Sequence, residues 1–536
     1  MKSKFNAADS SAVSDHQRPC TSRWSVGNHR LPRLHNLLLI SVSMAACLVS
    51  IYGTRRFGAW ISPDSVSYLE GAKSLSETLA FTDINGNPII YWPPLFSGLL
   101  SGMNIAGMQL AQAGRFLNVI LLGLTVYLGG RLSLNYLRRW IWVALIIALA
   151  LSLPLQLVSS YVWSEPLFVF LLVATFWFCN RIQRDGSYAQ VVLLGITLSA
   201  LCMTRYIGIL VVPFCLIVVA FCPGSVRKRL VYFPAILAIL VTVPISLFLW
   251  RNFSLVGSLT GSRSSFQYSY TDRIYQTLRT AGSWFYPIYL DFHKFLLAAA
   301  ISICGIVLIV VGTSIRIHLD RKDLSLVVGL FLAIGLPLYL AVAQETGISY
   351  LDDRLLSPFA VPLMIAVALS LDAIVPILGR RPAIPLTASV GLLLVCIPAS
   401  SMVFSLVSPS GLLASGDSQA TALNSPNWLQ SSAVLFSRTV PIDAVIVTNE
   451  PYVLQFALDR SVWGAARLSS PPATQETYSE GDIVHALQQN RSVFYVWITD
   501  SLYSTISPAR TDDDRLEYTL VRGGADASLW EVELVG

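Results

Sequence analysis

Long apolar runs joined by short polar connections occupy the first 406 positions. Segments of roughly 17–22 apolar residues, enough to cross a hydrocarbon core, fall near 35–53, 115–132, 140–156, 165–180, 189–204, 206–222, 231–250, 296–315, 324–343, 355–377 and 385–406. The pattern predicts about 11 transmembrane helices, because lipid offers backbone groups no partner outside the segment. The stretch 93–110 is also apolar, but Gly98, Gly102, Asn104, Gly107 and Gln109 interrupt it, and a re-entrant or interfacial helix is expected there. The run 190–221 would be about 48 Å long as one helix, beyond a core of about 30 Å. It is expected to turn back at Thr204-Arg205-Tyr206.

After residue 407 the pattern changes to short alternating elements. Asp443 to Thr448 and Val493 to Thr499 read as strands, Pro426 to Ser437 and Gly481 to Gln489 as helices. The expected fold class is therefore a polytopic α-helical membrane protein with a small C-terminal α/β domain. Its expected parts are a disordered tail (1–34), a transmembrane domain (35–407) with a long first outer loop (54–114), and a soluble domain (408–536).

Composition excludes a soluble enzyme. The 536-residue chain is 54% hydrophobic and only 13% charged, against about 25% charged in soluble domains. Most of the eight cysteines lie in apolar spans and the six histidines are scattered, so neither a disulfide framework nor a histidine metal site is indicated. The basic connections Arg131 to Arg139, Arg181 to Arg184, Arg227-Lys228-Arg229, Arg316 to Lys322 and Arg380-Arg381 share a side with the basic amino terminus. By the positive-inside rule that side is cytoplasmic; Arg55 and Arg56 alone oppose it. An odd number of spans then puts the acidic segment after 407 outside the cytoplasm. Arg outnumbers Lys thirty-one to six, a compositional hint of a bacterium, so a bacterial inner (plasma) membrane is expected.

This topology gathers Asp64, Glu165, Arg205, Arg251, Arg263, Asp352, Asp353 and Arg354 at one outer edge. Each has an ordinary structural use. Ser62-Pro63-Asp64 reads as a helix start, with Ser62 as cap and Asp64 in the first turn; Asp64 is either a helix-start charge or a catalytic base. Glu165 opens a helix ahead of Pro166, Arg205 closes a hairpin, and Arg251 ends a span. Charges at a membrane edge usually face a partner or a cavity. An acid there can take a proton from a hydroxyl, arginines can hold a phosphate, and apolar helices can hold a lipid tail. Together these describe group transfer from a lipid phosphate.

Several motifs carry a family resemblance: Pro63-Asp64-Ser65 with Tyr68-Leu69, Tyr91-Trp92-Pro93-Pro94-Leu95-Phe96, Ser164-Glu165-Pro166-Leu167-Phe168, Thr204-Arg205-Tyr206, Arg251-Asn252 with Gly257, Gly261 and Arg263, and Asp353-Arg354-Leu355-Leu356-Ser357-Pro358. In this order, over residues 35–380, the chain resembles the GT-C glycosyltransferases that use polyprenyl-phosphate sugars, the group of protein O-mannosyltransferases and lipid A aminoarabinose transferases. The resemblance implies an inverting transfer with Asp64 as base and Glu165 as supporting acid or acceptor contact. It makes Arg205, Arg251, Arg263 and Arg354 candidate donor-phosphate ligands, and Tyr68, Trp92 and Tyr206 substrate-loop residues. It implies a polyprenyl-phosphate sugar donor and a lipid, glycan or protein acceptor, with no nucleic acid. Protein O-mannosyltransferases carry adjacent Asp-Glu in the first loop, whereas Ser65 follows Asp64 here, so neither mannose nor a protein acceptor is implied. A divalent cation is an open question, since relatives differ and no ligand cluster is visible. The alternatives are a lipid-linked-sugar transporter or flippase, which should show repeated halves with mid-membrane charges, and a non-catalytic envelope-glycan assembly partner.

Overall fold

The computed structural model describes residues 31–56, 58–261, 268–285, 294–318, 323–345, 350–375, 396, 398–403, 405–406, 422–465, 477–499, 515–524 and 526–535. Nearly all of the expected tail, Arg263, Arg380-Arg381 and much of the expected last span lie outside the described residues. The helices of the membrane part with described bounds are α1 (Leu31–Gly53), α2 (Pro63–Thr78), α3 (Leu95–Ile105), α4 (Leu110–Ser133), α5 (Arg139–Ala150), α6 (Leu153–Ser160), α7 (Glu165–Asp185), α8 (Tyr188–Thr204), α9 (Val211–Ala220), α10 (Phe233–Val256), α11 (Tyr270–Ser283), α12 (Lys294–His318), α13 (Asp323–Leu330), α14 (Leu336–Glu345) and α15 (Asp353–Ile374), and the described residues of 396–406 are helical too. Among the described residues, seven helical stretches are long and apolar enough to cross a membrane. The chain is an integral membrane protein.

Three helices depart from the simple apolar-run pattern. The segment expected at 140–156 breaks at Leu151-Ser152 and restarts as α6 with Pro154 in its first turn, a position where the missing N–H costs nothing. The return limb of the 190–221 hairpin opens with a 3₁₀ turn, Tyr206–Leu210, before α9. Stretch 93–110 holds only the eleven-residue α3, about 16 Å long and too short to span. It packs against α2, where Tyr68 meets Phe96 edge-to-face at 5.2 Å and Ser97 Oγ donates to the Tyr68 carbonyl at 3.1 Å.

The central pillar is α15, whose apolar span is 89% buried, against 22% for α1 and for the stretch containing α10. Its start is capped by Asp352, which accepts from the Leu355 N–H at 3.0 Å. Pro358 cannot donate to the Arg354 carbonyl; the Ser357 hydroxyl does so instead at 2.7 Å. Arg354 and Asp372 sit on this helix eighteen residues apart, about 27 Å of rise, close to the hydrocarbon thickness of about 30 Å. At the Asp372 end the carboxylate accepts from the Arg316 guanidinium at 2.9 Å and the Arg138 N–H at 3.0 Å, and Arg316 also reaches the Tyr136 and Leu369 carbonyls.

The described part of the soluble segment holds four short helices, α16 (Pro426–Leu429), α17 (Ser432–Ser437), α18 (Pro451–Leu458) and α19 (Glu480–Gln488). Six strands, β1 (Val445–Thr448), β2 (Trp463–Ala465), β3 (Thr477–Tyr478), β4 (Val493–Ile498), β5 (Leu516–Gly523) and β6 (Ala527–Leu534), form one sheet in the order β3-β2-β1-β4-β6-β5. The first four run parallel; β6 and β5 add an antiparallel hairpin. The helix expected over Pro426 to Ser437 is two, because Ser431 caps a new start at Val434. This unit rests on the chain just before α2: Leu423 N–H donates to the Ile61 carbonyl at 2.7 Å, and the Asn424 amide bonds Ile61 N–H and the Ala59 carbonyl at 3.0 and 2.8 Å.

Removing the Asp372 carboxylate leaves the buried Arg316 without its counter-charge. Asp372→Ala is expected to cost about 3–5 kcal/mol, read as a lowered unfolding midpoint of the detergent-purified protein, with Asp372→Asn milder because it can still accept from Arg138.

Candidate active site

Two loops meet in register to build the site. Trp60 and Tyr161 form a parallel bridge, with Trp60 N–H on the Ser160 carbonyl (2.8 Å) and Val162 N–H on the Trp60 carbonyl (3.1 Å). Four residues further along each strand stand Asp64 and Glu165, each in the first turn of a helix. The register therefore sets the two acids side by side. The Asn118 amide of α4 fixes the second loop by donating to the Tyr161 and Trp163 carbonyls at 2.7 and 3.0 Å.

Capping of α2 is performed by serines. Ser62 Oγ accepts from Ser65 N–H at 3.3 Å and Ser65 Oγ accepts from Ser62 N–H at 3.0 Å, a reciprocal capping box. Trp163 Nε1 donates to Ser62 Oγ at 2.6 Å. Asp64 is thereby free of the cap, and its carboxylate pairs with Arg354 from α15. The Arg354 Nε also donates to Glu165 Oε1 at 2.5 Å, and Arg205 Nη1 meets the same oxygen at 2.5 Å. Arg354 lies over the Trp163 ring, 4.1 Å from its centroid. Tyr68, one turn beyond Asp64, shares a hydrogen bond of 2.8 Å with Ser164 Oγ, which Arg205 reaches at 3.4 Å. Burial pushes the Tyr68 phenol well above its ordinary range, so it stays protonated.

Glu165, Arg205 and Arg354 line a cavity of about 460 Å³ together with Trp92, Tyr206 and Tyr339. Two buried polar atoms of its wall have no hydrogen-bond partner among the described residues: Glu165 Oε2, an acceptor, and Trp92 Nε1, a donor. Such groups are costly unless a ligand or water satisfies them. A second, almost wholly apolar cavity of about 580 Å³ lies among α11, α12, α14 and α15, walled by Ala281, Leu308, Leu336, Leu356, Phe359 and Leu363, and shares no lining residue with the first.

No family model matches the sequence, and neither does any curated protein. Solved structures do share the architecture. ArnT from Cupriavidus metallidurans in the apo state superposes with a TM-score of 0.57 at 12% identity, covering 94% of this chain and 98% of that one. The same protein bound to undecaprenyl phosphate gives 0.55 at 12%, over 92% and 97%. The archaeal oligosaccharyltransferase AglB from Archaeoglobus fulgidus, in complex with an inhibitory peptide and a dolichol-phosphate, gives 0.52 at 12%, over 88% and 70%. The fold is shared with ArnT and AglB.

Within this fold Asp64, Glu165, Arg205 and Arg354 come together as one cluster, with Tyr68, Trp92 and Tyr206 around it. Arg251 does not join them. Its guanidinium grips the Ile89 and Phe81 carbonyls at 2.9 and 2.8 Å, while Asn252 donates to the Leu259 carbonyl (2.9 Å) and to Tyr206 Oη (3.1 Å), and Tyr206 donates to the Ile90 carbonyl (2.6 Å). Gly261, with φ +78°, lies so near the Tyr91 ring that a Cβ would collide with it. The Arg251 to Gly261 motif is thus a rivet holding the loop 81–91 over the cavity, because main-chain carbonyls in a helix-free loop need donors. Asp352 and Asp353 also face elsewhere, to the α15 cap and to Trp284 Nε1 at 2.6 Å. Sequence reasoning gave no site role to Trp163, Ser164, Tyr339 and Glu345, which either bond the cluster or line the cavity; Ser164 opens a motif already singled out and Trp163 directly precedes it.

The two acids differ in surroundings. The Glu165 side chain is 2% exposed and shared by two guanidiniums, whereas Asp64 is 22% exposed with one. Glu165→Ala is expected to cost about 3–5 kcal/mol of stability, and Asp64→Ala about 1 kcal/mol or less. Denaturant unfolding of the two variants in one detergent checks the order, and its reversal would make Asp64 the structural charge.

Proposed function

We propose that the protein moves a sugar from a polyprenyl-phosphate donor to an acceptor hydroxyl at the extracytoplasmic face of the membrane, with inversion at the anomeric carbon. The observation that supports it most is Arg354, held between Asp64 and Glu165, on the wall of one cavity, with a separate apolar chamber walled by the next turns of the same helix. The donor's phosphate would bind Arg205 and Arg354, its lipid tail the apolar chamber along α14 and α15. Undecaprenyl phosphate and dolichol-phosphate, bound to ArnT and AglB respectively, are ligands of that chemistry. The orphaned Glu165 Oε2 and Trp92 Nε1 would take hydroxyls, which accept and donate alike.

In the proposed reaction the acceptor oxygen attacks the anomeric carbon and its proton passes to the Asp64 carboxylate. The bond between that carbon and the phosphate oxygen breaks, and the electron pair stays on the phosphate. The two arginines would neutralise that charge as it grows, and preorganised donors at such a place lower a barrier most. The extracytoplasmic assignment draws on charge: Arg138, Arg184 and Arg316 lie at the Asp372 end of the bundle, opposite the site. In this scheme Arg251 is reassigned from phosphate binding to holding the roof. A transporter is disfavoured because the charges gather at an end of α15 rather than at its middle.

Asp64→Asn keeps the shape and removes the base. It is expected to lower kcat for sugar transfer about 10²–10⁴-fold while donor-lipid binding is retained, measured with radiolabelled lipid-linked sugars in membranes. Transfer at the wild-type rate would overturn the assignment of Asp64.

A further inference from the structure

The helix that carries Asp64 has a second cavity on its other side. With 3.6 residues per turn, Asp64 and Tyr68 share one face of α2, while Val66, Glu70, Lys73 and Glu77 lie about half a turn away. These four line a cavity of about 640 Å³, closed by Asp83, Asn104 and Gln109 on one side and by Gln455, Phe456 and Asp459 of the soluble unit on the other. That volume falls in the range of about 300–1,000 Å³ common to small-molecule sites. It shares no lining residue with the cavity around Arg354.

Lys73 bonds both carboxylate oxygens of Asp459 at 2.8 Å, and Ser461 Oγ donates to Asn85 Oδ1 at 2.5 Å, so the soluble unit forms a fixed wall. Glu70 Oε2 accepts from Ile84 N–H at 3.4 Å; Oε1, shut off from solvent, has no hydrogen-bond partner among the described residues. Burial, with Asp83 nearby, pushes the Glu70 carboxyl up to about 8. Protonated or ionised, that oxygen lacks the partner that buried polar atoms ordinarily have.

We infer that this cavity binds a saccharide, the part of a glycan acceptor that lies beyond the reacting hydroxyl. The Gln109 amide and the Glu70 carboxyl offer polar groups, beside Asn104, Gln455 and Asp83, which are held in place by bonds to Ser76 Oγ, the Val462 carbonyl and the Asn85 and Asn87 N–H groups, and Val66, Leu69 and Phe456 supply an apolar wall for a ring face. Sugar rings have this composition: hydroxyls at the edge, C–H groups on the faces. The acids outnumber Lys73, so a hydroxyl or an ammonium of an amino sugar could be the group held at Glu70. The inference rests on the glycosyltransferase reading, and it adds a second site on the opposite face of α2.

Two probes separate the sources: chitotriose, which is neutral, and its fully deacetylated form, which carries ammonium groups. Titrated calorimetrically into the detergent-purified full chain, at least one is expected to bind saturably, with affinity at least ten-fold weaker in Glu70→Gln and in Gln455→Ala and unchanged in Asp64→Asn. Binding of both trimers alike assigns the hydroxyls; binding of the deacetylated trimer alone, weakened by salt, assigns the ammonium. Failure of both to bind, binding indifferent to Glu70→Gln, or displacement by polyprenyl phosphate overturns the inference. Glu70→Gln should fold: a carboxyl held protonated up to about pH 8 makes stability fall as pH rises from the ordinary carboxylate range to about 8, and the amide removes that loss. Trimer binding that obeys Glu70 without any sugar transfer would sink the function and spare the site; transfer without trimer binding would do the reverse.

Discussion

One guanidinium holds the site together. Arg354 is the link through which α15, α2 and α7 share charge, since it pairs with Asp64 of one loop and Glu165 of the other. With Arg205 the cluster has two acids and two bases, a balance that a poorly solvated membrane edge demands. The balance also imposes a geometry. Arg354 must stay at the first turn of a buried helix, and the two acids must be brought to it by backbone register rather than by long side chains. The Trp60–Tyr161 bridge and the Ser62–Ser65 capping box supply that register. A phosphate entering this cluster would add negative charge and compete for Arg354. In the proposed reaction Asp64, the more exposed acid, is the one that would give up its partner and receive a hydroxyl.

The polar residues divide between chemistry and scaffolding in a way that their spacing does not announce. Arg205 caps the end of α8 and Arg251 lies in the last turns of α10, yet of the two only Arg205 meets the acids. Arg251 instead satisfies two loop carbonyls, and Asn252, Tyr206 and the positive-φ Gly261 complete the same clamp. The clamp matters because Trp92, in the segment it retains, presents an orphaned N–H to the cavity. Loosening the clamp would move a wall of the site without touching any charged partner in it.

Much of the bundle was legible in the sequence because its signal is local and long. Runs of apolar residues reported α1, α4, α7 and α10, and the interrupting glycines and Asn104 rightly kept α3 from being counted as a span. The acids were legible because Pro63 and Pro166 mark helix starts beside them. What stayed hidden depends on partners far along the chain. No pattern near Ser62 shows Trp163 donating to it, and nothing near Arg251 shows the Phe81 carbonyl. The β5–β6 hairpin was missed because exposed residues occupy most of β5, blurring the alternation that marks a half-buried strand. The Ser62 cap of α2 was legible, whereas the reciprocal bond from Ser62 N–H to Ser65 Oγ was not anticipated.

The consequence reaches α2 as a whole. It is sixteen residues long, fixed near its start by Trp163 and Ser65 and toward its end by the Lys73–Asp459 pair. One face meets the Arg354 cluster and the opposite face a separate polar cavity. A helix pinned at both ends transmits a shift as a rigid body, because packed elements do not deform continuously. A ligand pressing on Glu70 therefore acts on the same short rod that positions Asp64, about 9 Å away along its axis. The C-terminal unit, through the Lys73–Asp459 pair and the wall it adds to that second cavity, bears on the helix that carries Asp64.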